Sequence, residues 1–130
     1  MPRFLFLFLS CSLFLCACKK ETFDTEAPAI AFLSPENHGD TASGDSLKIK
    51  VELKDNVLLD RYELKIIEII ANKRFDTVEA KQDFVKARFA ELKFNFVYTV
   101  QEVKYYEIQM KVYDKAGNTS MKSVYQHIVL

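Results

Sequence analysis

The 130-residue chain contains no tryptophan, only three glycines and only two histidines, and none of its cysteines lies beyond residue 18. The cysteines are Cys11, Cys16 and Cys18, so the body of the chain has no pair for a structural disulfide. Three scattered glycines cannot form a glycine-rich phosphate loop, and His38 with His127 is too small an imidazole set for a zinc site. The stability of the domain must therefore come from packing alone.

The chain also has no excess of either charge, because 18 basic residues balance 18 acidic ones. No basic cluster is present, so nucleic acid is not expected as a partner. The acidic residues fall in loops or on outward faces of predicted strands, which is not the arrangement of paired carboxylates that a glycosidase needs. Because the usual catalytic constellations are missing, we expect no enzymatic activity.

The letters "GDS" at 44–46 resemble the nucleophile motif of a serine hydrolase family. In that family the serine follows a strand and precedes a helix of a larger α/β domain, and a catalytic Asp-x-x-His lies late in the chain. Here Ser46 opens a predicted strand, and His127 has Val124 three residues before it instead of an aspartate. We therefore interpret Ser46 as a strand-start residue.

The long hydrophobic run of the chain lies at its N-terminus, where Arg3 precedes an apolar run over 4–15. That run has the length of a signal-peptide core and is shorter than the roughly 20 residues of a membrane-spanning helix. The letters "LCAC" at 15–18 resemble the lipobox of bacterial lipoproteins. The resemblance implies cleavage after Ala17 and attachment of fatty acids such as palmitate to Cys18. An ordinary secretory signal with an incidental cysteine is the alternative.

The chain therefore divides into a signal peptide over 1–17, the lipidated cysteine and a polar tether over 18–27, and one β-sandwich domain over 28–130. In some outer-membrane bacteria, charged residues directly after the lipidated cysteine resemble a signal for export to the cell surface. Lys19, Lys20 and Glu21 follow Cys18 here. The lipid is predicted to hold the protein on the outer membrane at the cell surface, with the periplasmic face as the alternative.

Apolar and polar residues alternate with a period of two through most of the body, which is typical of half-buried strands. The segment 34–45 is rich in turn residues, and "DKAGN" at 114–118 predicts a hairpin. Residues 71–88 leave two alternatives open, a short edge strand and a crossover loop with a helical turn. The predicted strands cover 29–33, 47–54, 61–70, 90–100, 106–112 and 121–130.

Several of these segments resemble the bacterial Ig-like domains of surface lipoproteins, and most closely a Bacteroidota-type lipoprotein domain family of unknown function. The matching letters are "P-x-I" at 28–30, "KDN" at 54–56 and "YYEIQMKVYDKAGNTS" at 105–120. The resemblance implies an all-β fold, an Ig-like antiparallel β-sandwich of about seven strands. It places Tyr106 at the tyrosine corner of that fold, whereas the strand pattern alone makes Tyr106 an ordinary core residue.

From this fold we expect a non-catalytic binding or adhesion module with a protein or glycan ligand. A structural subunit of an envelope complex that faces the periplasm is the alternative. Most aromatic residues sit on inward strand positions and are predicted to belong to the core. Tyr113 and Tyr125 fall in the opposite register and are the candidates for exposure, where an aromatic ring can stack on a sugar.

The Ig-like topology gathers the start of the first strand, the second-to-third connection and the last hairpin at one end of the sandwich. Carboxylates and amides are frequent in these three segments, and calcium takes six to eight oxygen ligands at about 2.3 to 2.6 Å. The same residue types also form turns, so calcium binding and turn formation remain open as alternatives. The candidate calcium ligands are Asp24, Glu26, Asp55, Asn56, Asp114 and Asn118.

Overall fold

The computed structural model describes residues 22–130. The predicted signal peptide and Cys18 lie outside the described residues. Within 22–130 the chain forms eight strands and no helix, so this part holds no helix that is long and apolar enough to cross a membrane. The strands are β1 (Ala29–Ser34), β2 (Gly39–Ala42), β3 (Ser46–Lys54), β4 (Leu59–Ile70), β5 (Lys73–Phe84), β6 (Phe89–Val97), β7 (Lys104–Asp114) and β8 (Thr119–Val129).

The strands form two sheets that enclose one core. One sheet has three strands in the order β1-β3-β6, and the other has five in the order β2-β8-β7-β4-β5. All neighbouring strands are antiparallel except β2 and β8, which run parallel. This is the arrangement of an Ig-like sandwich, so the predicted fold is confirmed, with eight strands where about seven were expected.

The core lies between the sheets because each central strand presents every second side chain to the opposite sheet. Along β3 the apolar residues are buried while Ser46, Lys48 and Lys54 are exposed. Aromatic rings join the two layers, for example where Tyr62 meets Phe94 edge-on with 5.9 Å between ring centroids. Burial of such apolar surface contributes about 25 cal/mol per Å². The buried apolar residues of the five-stranded sheet are Leu59, Tyr62, Leu64, Ile66, Ile67, Tyr106, Ile108, Met110, Val112, Val124 and Ile128.

The segment 71–88, for which two alternatives were open, consists mainly of the 12-residue edge strand β5. β5 pairs with β4 alone, and most of its residues with a described side chain are exposed. Ala71 and Asn72 both have positive φ, 50° and 60°, and form the tight turn that joins β4 to β5. The helical alternative for this segment was wrong.

Two further details differ from the sequence-based strands. Residues 34–45 were predicted as a turn segment, but they contain β2, which pairs with the last strand. β6 ends at Val97 rather than at residue 100, and Tyr98 and Val100 pack against the core from the following loop. Tyr106 is buried and its ring stacks on Tyr98 with 5.1 Å between centroids, so it belongs to the core.

Candidate functional site

Three segments meet at one end of the sandwich. The turn after β3, the end of β7 and the stretch before β1 each bring an aspartate to this end. One carboxylate oxygen from each of Asp24, Asp55 and Asp114 lies within 4.8 Å of the other two. We call these three residues the aspartate cluster. The structure thus brings together three of the six candidate calcium ligands through their carboxylates.

Asp24 belongs to the predicted tether, yet it is attached to the body of the domain. Its Oδ1 atom accepts a hydrogen bond from the Asn56 side-chain amide at 2.9 Å and another from the backbone N–H of Glu26 at 3.1 Å. Its carbonyl oxygen accepts a hydrogen bond from the Asn118 amide at 3.1 Å. Two separate turns of the sandwich therefore hold the stretch that enters it.

Asn118 is the central donor of this end. Its Nδ2 atom donates to the carbonyl oxygens of Asp24 and Glu26 at 3.1 and 3.3 Å, and to Asp114 Oδ2 at 2.7 Å. Its backbone N–H donates to Asp114 Oδ1 at 2.8 Å, which closes the turn between β7 and β8. Asp114 itself is only 3% exposed. Asn118 positions the cluster without adding a carboxylate to it.

Turn formation uses only part of the oxygen atoms in the cluster. Asp55 Oδ2 accepts the backbone N–H groups of Val57 and Leu58 at 2.9 and 2.6 Å, a typical arrangement at the start of a turn. Asp55 Oδ1 and Asp24 Oδ2 are buried and accept no hydrogen bond from any described residue. Because buried polar atoms normally have partners, turn chemistry alone does not account for these two oxygens.

The electrostatics of the cluster favour a cation. Three carboxylates repel one another at this separation, by about 1 kcal/mol per pair in bulk water and about 4 kcal/mol at an effective dielectric constant near 20. Within 22–130 no lysine, arginine or histidine forms an ion pair with any of the three. Two oxygens that bind the same calcium ion lie at most about 4.6 to 5.2 Å apart, so three carboxylate oxygens that are all within 4.8 Å of one another are close enough to share one ion.

The remaining candidates have other positions. The Glu26 side chain is exposed and lies outside the cluster, and only its backbone carbonyl takes part, as an acceptor for Asn118. Asn56 is exposed and orients Asp24 through its amide. The sequence predicted that these turns meet, but it could not show which carboxylate oxygens remain without a hydrogen-bond donor once the turns have formed.

Ser46 and His127 do not form a common site, because they lie on different sheets. Ser46 is an exposed residue on the outer face of the three-stranded sheet, whereas His127 lies on the outer face of the five-stranded sheet. His127 instead pairs with Asp40, with 3.0 Å between Nδ1 and Oδ1.

A cavity of about 480 Å³ at the other end of the five-stranded sheet was missed by sequence reasoning. It lies near the start of β7, the end of β8 and the tip of the β4–β5 hairpin. The sequence contains little indication of this cavity. Its lining residues are brought together by the pairing of Tyr105 with His127 and by β2, which was not predicted. We call it the ring cleft; its lining includes His38, Ile69, Asn72, Tyr105, Tyr125 and His127.

The chain matches no family model and no curated protein sequence. Among solved structures, the sporulation control protein Spo0M from Bacillus subtilis aligns with a TM-score of 0.49 and 6% identity, over 80% of this chain and 49% of that chain. A beta-glucosidase from Listeria innocua aligns with a TM-score of 0.45 and 13% identity, over 79% of this chain and 16% of that chain. This chain thus spans less than half the length of either. Because both TM-scores lie below 0.5, neither protein informs the proposals below.

Proposed function

We propose that this chain is a lipid-anchored, non-catalytic binding module of the outer membrane, in which calcium fixes the tether to the sandwich. The observation that carries the proposal is the aspartate cluster, because Asp24 from the tether shares it with Asp55 and Asp114 from the body of the domain. An ion bound there by all three carboxylates connects the membrane-side segment to two turns of the fold. Calcium suits this site because it accepts several carboxylates in a flexible geometry.

The positions of two side chains support the proposed role in binding rather than catalysis. Ser46 and His127 lie on the outer faces of different sheets, so they cannot act as a nucleophile and its base. Ig-like sandwiches use their rigid sheets to present loops and outer faces to partners. The outer membrane, with the cell surface preferred and the periplasmic face as the alternative, is the location that the lipobox at 15–18 supports.

The calcium proposal is tested by thermal unfolding of the full chain in a mild detergent, in about 10 mM calcium and in a chelator. Extracellular calcium modules bind with dissociation constants of about 10⁻⁴ to 10⁻³ M. At about 100 times the dissociation constant, a bound ion stabilises the native state by about 2.7 kcal/mol. We therefore expect calcium to raise the Tm by several degrees. Identical Tm values in the two buffers would contradict the proposal.

The variant Asp24→Asn sharpens this test, because it removes one charge and keeps an oxygen that can accept from Glu26 and Asn56. It should abolish the calcium-dependent rise in Tm while leaving the protein in chelator as stable as the wild type, or slightly more stable, since one repulsive charge is gone. The matched control is Asp45→Asn, an exposed turn residue at the opposite end of β3, which should keep the full calcium response.

The anchor is tested by labelling cells with an alkynyl fatty acid. The wild type should take up the label, and Cys18→Ala should not, because the thiol that accepts the lipid is missing. Protease treatment of intact cells then separates the two membrane faces, since a domain at the cell surface is degraded and a periplasmic one survives. A wild-type protein without label would make the lipobox interpretation wrong.

A further inference from the structure

The ring cleft is built from aromatic side chains on the outer face of β7 and β8. Tyr105 and His127 are directly opposite each other in the strand register, and their rings meet edge to face with 4.7 Å between centroids. Tyr105 is 49% exposed and Tyr125 is 36% exposed. The cleft therefore offers open aromatic surface within one cavity.

A loop adds a further ring to this surface. The backbone N–H of His38 donates to the Tyr125 carbonyl at 2.7 Å, and Asn37 Oδ1 accepts from the Tyr125 N–H at 2.9 Å. These bonds place the backbone of His38 beside Tyr125, and the two rings lie nearly parallel, with 5.4 Å between centroids and an interplanar angle of 12°. His38 has a φ of 61°, a left-handed conformation that is uncommon for residues other than glycine. The loop thus brings the His38 ring to the edge of the cleft.

Polar groups border the aromatic surface. Asp40 Oδ1 can only accept a hydrogen bond as a carboxylate, so Nδ1 of His127 is the donor across their 3.0 Å separation. In the neutral imidazole this leaves Nε2 as an acceptor. The tyrosine hydroxyls and the amide of Asn72 provide further neutral donors and acceptors. Burial, followed by the nearby Glu68 carboxylate, raises the pKa of Tyr106, which keeps its hydroxyl neutral as well.

Strand β7 also gives the cleft a rigid support. Glu107, which lies opposite Tyr125, is buried and paired with Arg74 at 2.8 Å. Its Oε1 atom accepts the Ser123 hydroxyl at 2.6 Å. A ligand site on a fixed support binds with less loss of conformational freedom.

We infer that the ring cleft binds a pyranose unit of a neutral glycan. A pyranose ring has an apolar C–H face and a rim of hydroxyl groups, and it matches open tyrosine faces bordered by neutral hydrogen-bonding groups. The cavity of about 480 Å³ falls within the range of about 300 to 1,000 Å³ of small-molecule sites. No lysine or arginine is among the described residues that line it, which disfavours an anionic ligand. This inference rests on the proposed binding role and names its ligand class.

The two histidines of the chain both line the cleft, so they are natural reporters of binding. We would follow the two imidazole Cε1–H signals by NMR in the full chain labelled with ¹³C-histidine, in a detergent without a sugar headgroup. Maltoheptaose, cellohexaose, mannohexaose and xylohexaose are added separately at up to about 5 mM. At least one should shift both signals in a saturable manner. If none shifts either signal, or if the peptide Gly-Tyr-Gly does so and no sugar does, the inference is overturned.

Variants of the two open tyrosines test the stacking contact. Tyr125→Ala and Tyr105→Ala should each weaken binding about tenfold, which corresponds to about 1.4 kcal/mol. Tyr125→Phe keeps the ring face and should bind nearly as the wild type does. The matched control is Tyr113→Ala. Tyr113 lies on the same outer face of β7 as Tyr105 but outside the cleft, and its ring centroid is 3.8 Å from Cζ of Arg61. Equal losses in Tyr113→Ala and Tyr125→Ala would overturn the assignment to the cleft.

The failure of this inference can be told apart from failure of the calcium proposal. Asp24 lies at the opposite end of the sandwich from the ring cleft. Asp24→Asn should therefore lose the calcium response and keep the sugar-induced shifts. If the wild type shows a normal calcium response and no sugar-induced shift, only the glycan site is rejected.

Discussion

Individual oxygen atoms decide how the aspartate cluster is interpreted. The residue types alone favoured turns and left calcium as the alternative, and in the structure the turns use some of the carboxylate oxygens and leave others without a partner. Asp24 Oδ2 and Asp55 Oδ1 are buried without a hydrogen-bonding partner among the described residues. A buried acceptor without a partner costs about 1 to 3 kcal/mol. A bound cation removes that cost, which is why these two atoms support the calcium proposal.

The side-chain amide of Asn118 is predicted to stabilise this end of the sandwich. Its amide serves three acceptors, so Asn118→Ala should lower the free energy of unfolding by about 2 kcal/mol and loosen the stretch around Asp24. Urea unfolding with and without calcium measures both effects, because the loosened stretch should also reduce the gain from calcium. The matched control is Asn95→Ala on β6, whose exposed amide makes no hydrogen bond to a described residue. Equal effects of the two variants would contradict this role.

At the scale of strands, the predictable elements were those with one face against the core. The period-two pattern appears in strands whose apolar side chains pack against the opposite sheet, namely β3, β4, β7 and β8. β5 has no such cover. Its register places Lys81 beside Leu64 and Glu79 beside Ile66, so the row that continues the buried face of β4 is charged. A strand of this kind resembles a loop or a helix in sequence, and its charges protect the exposed sheet edge from pairing with other chains.

β2 was unpredictable for a different reason. It is four residues long, contains Gly39 and Asp40, and gains its pairing from β8, which lies far away in the sequence. The ring cleft depends on this pairing, because it brings Asp40 to His127 and carries the loop with His38 onto Tyr125. The proximity of the three aspartates could be predicted from the Ig-like topology. The ring cleft could not be predicted, because it depends on a long-range contact between β2 and β8 that no local sequence pattern indicates.

The sandwich formed by residues 22–130 has a different chemistry at each of its two ends. The aspartate cluster lies where β7 ends, and the ring cleft lies where β7 begins, so the length of that strand separates them by roughly 30 Å. The stretch from the proposed lipid at Cys18 enters at the cluster. If Asp24 is fixed there, only residues 19–23 lie between the anchor and the domain, and they span at most roughly 20 Å. The cluster then faces the bilayer and the ring cleft faces away from it.

This orientation leads to the last prediction, which concerns distances from the membrane. In lipid nanodiscs with a nitroxide on the headgroups, paramagnetic broadening should be strong for the methyl group of Met121 and weak for the imidazole of His127. Met121 is 61% exposed near the start of β8, and His127 lies near the end of the same strand, roughly 20 Å further along. A chelator or Asp24→Asn lengthens the free tether and should reduce the difference between the two signals. Stronger broadening of His127 than of Met121 in calcium would contradict the proposed arrangement, because the glycan site would then face the bilayer.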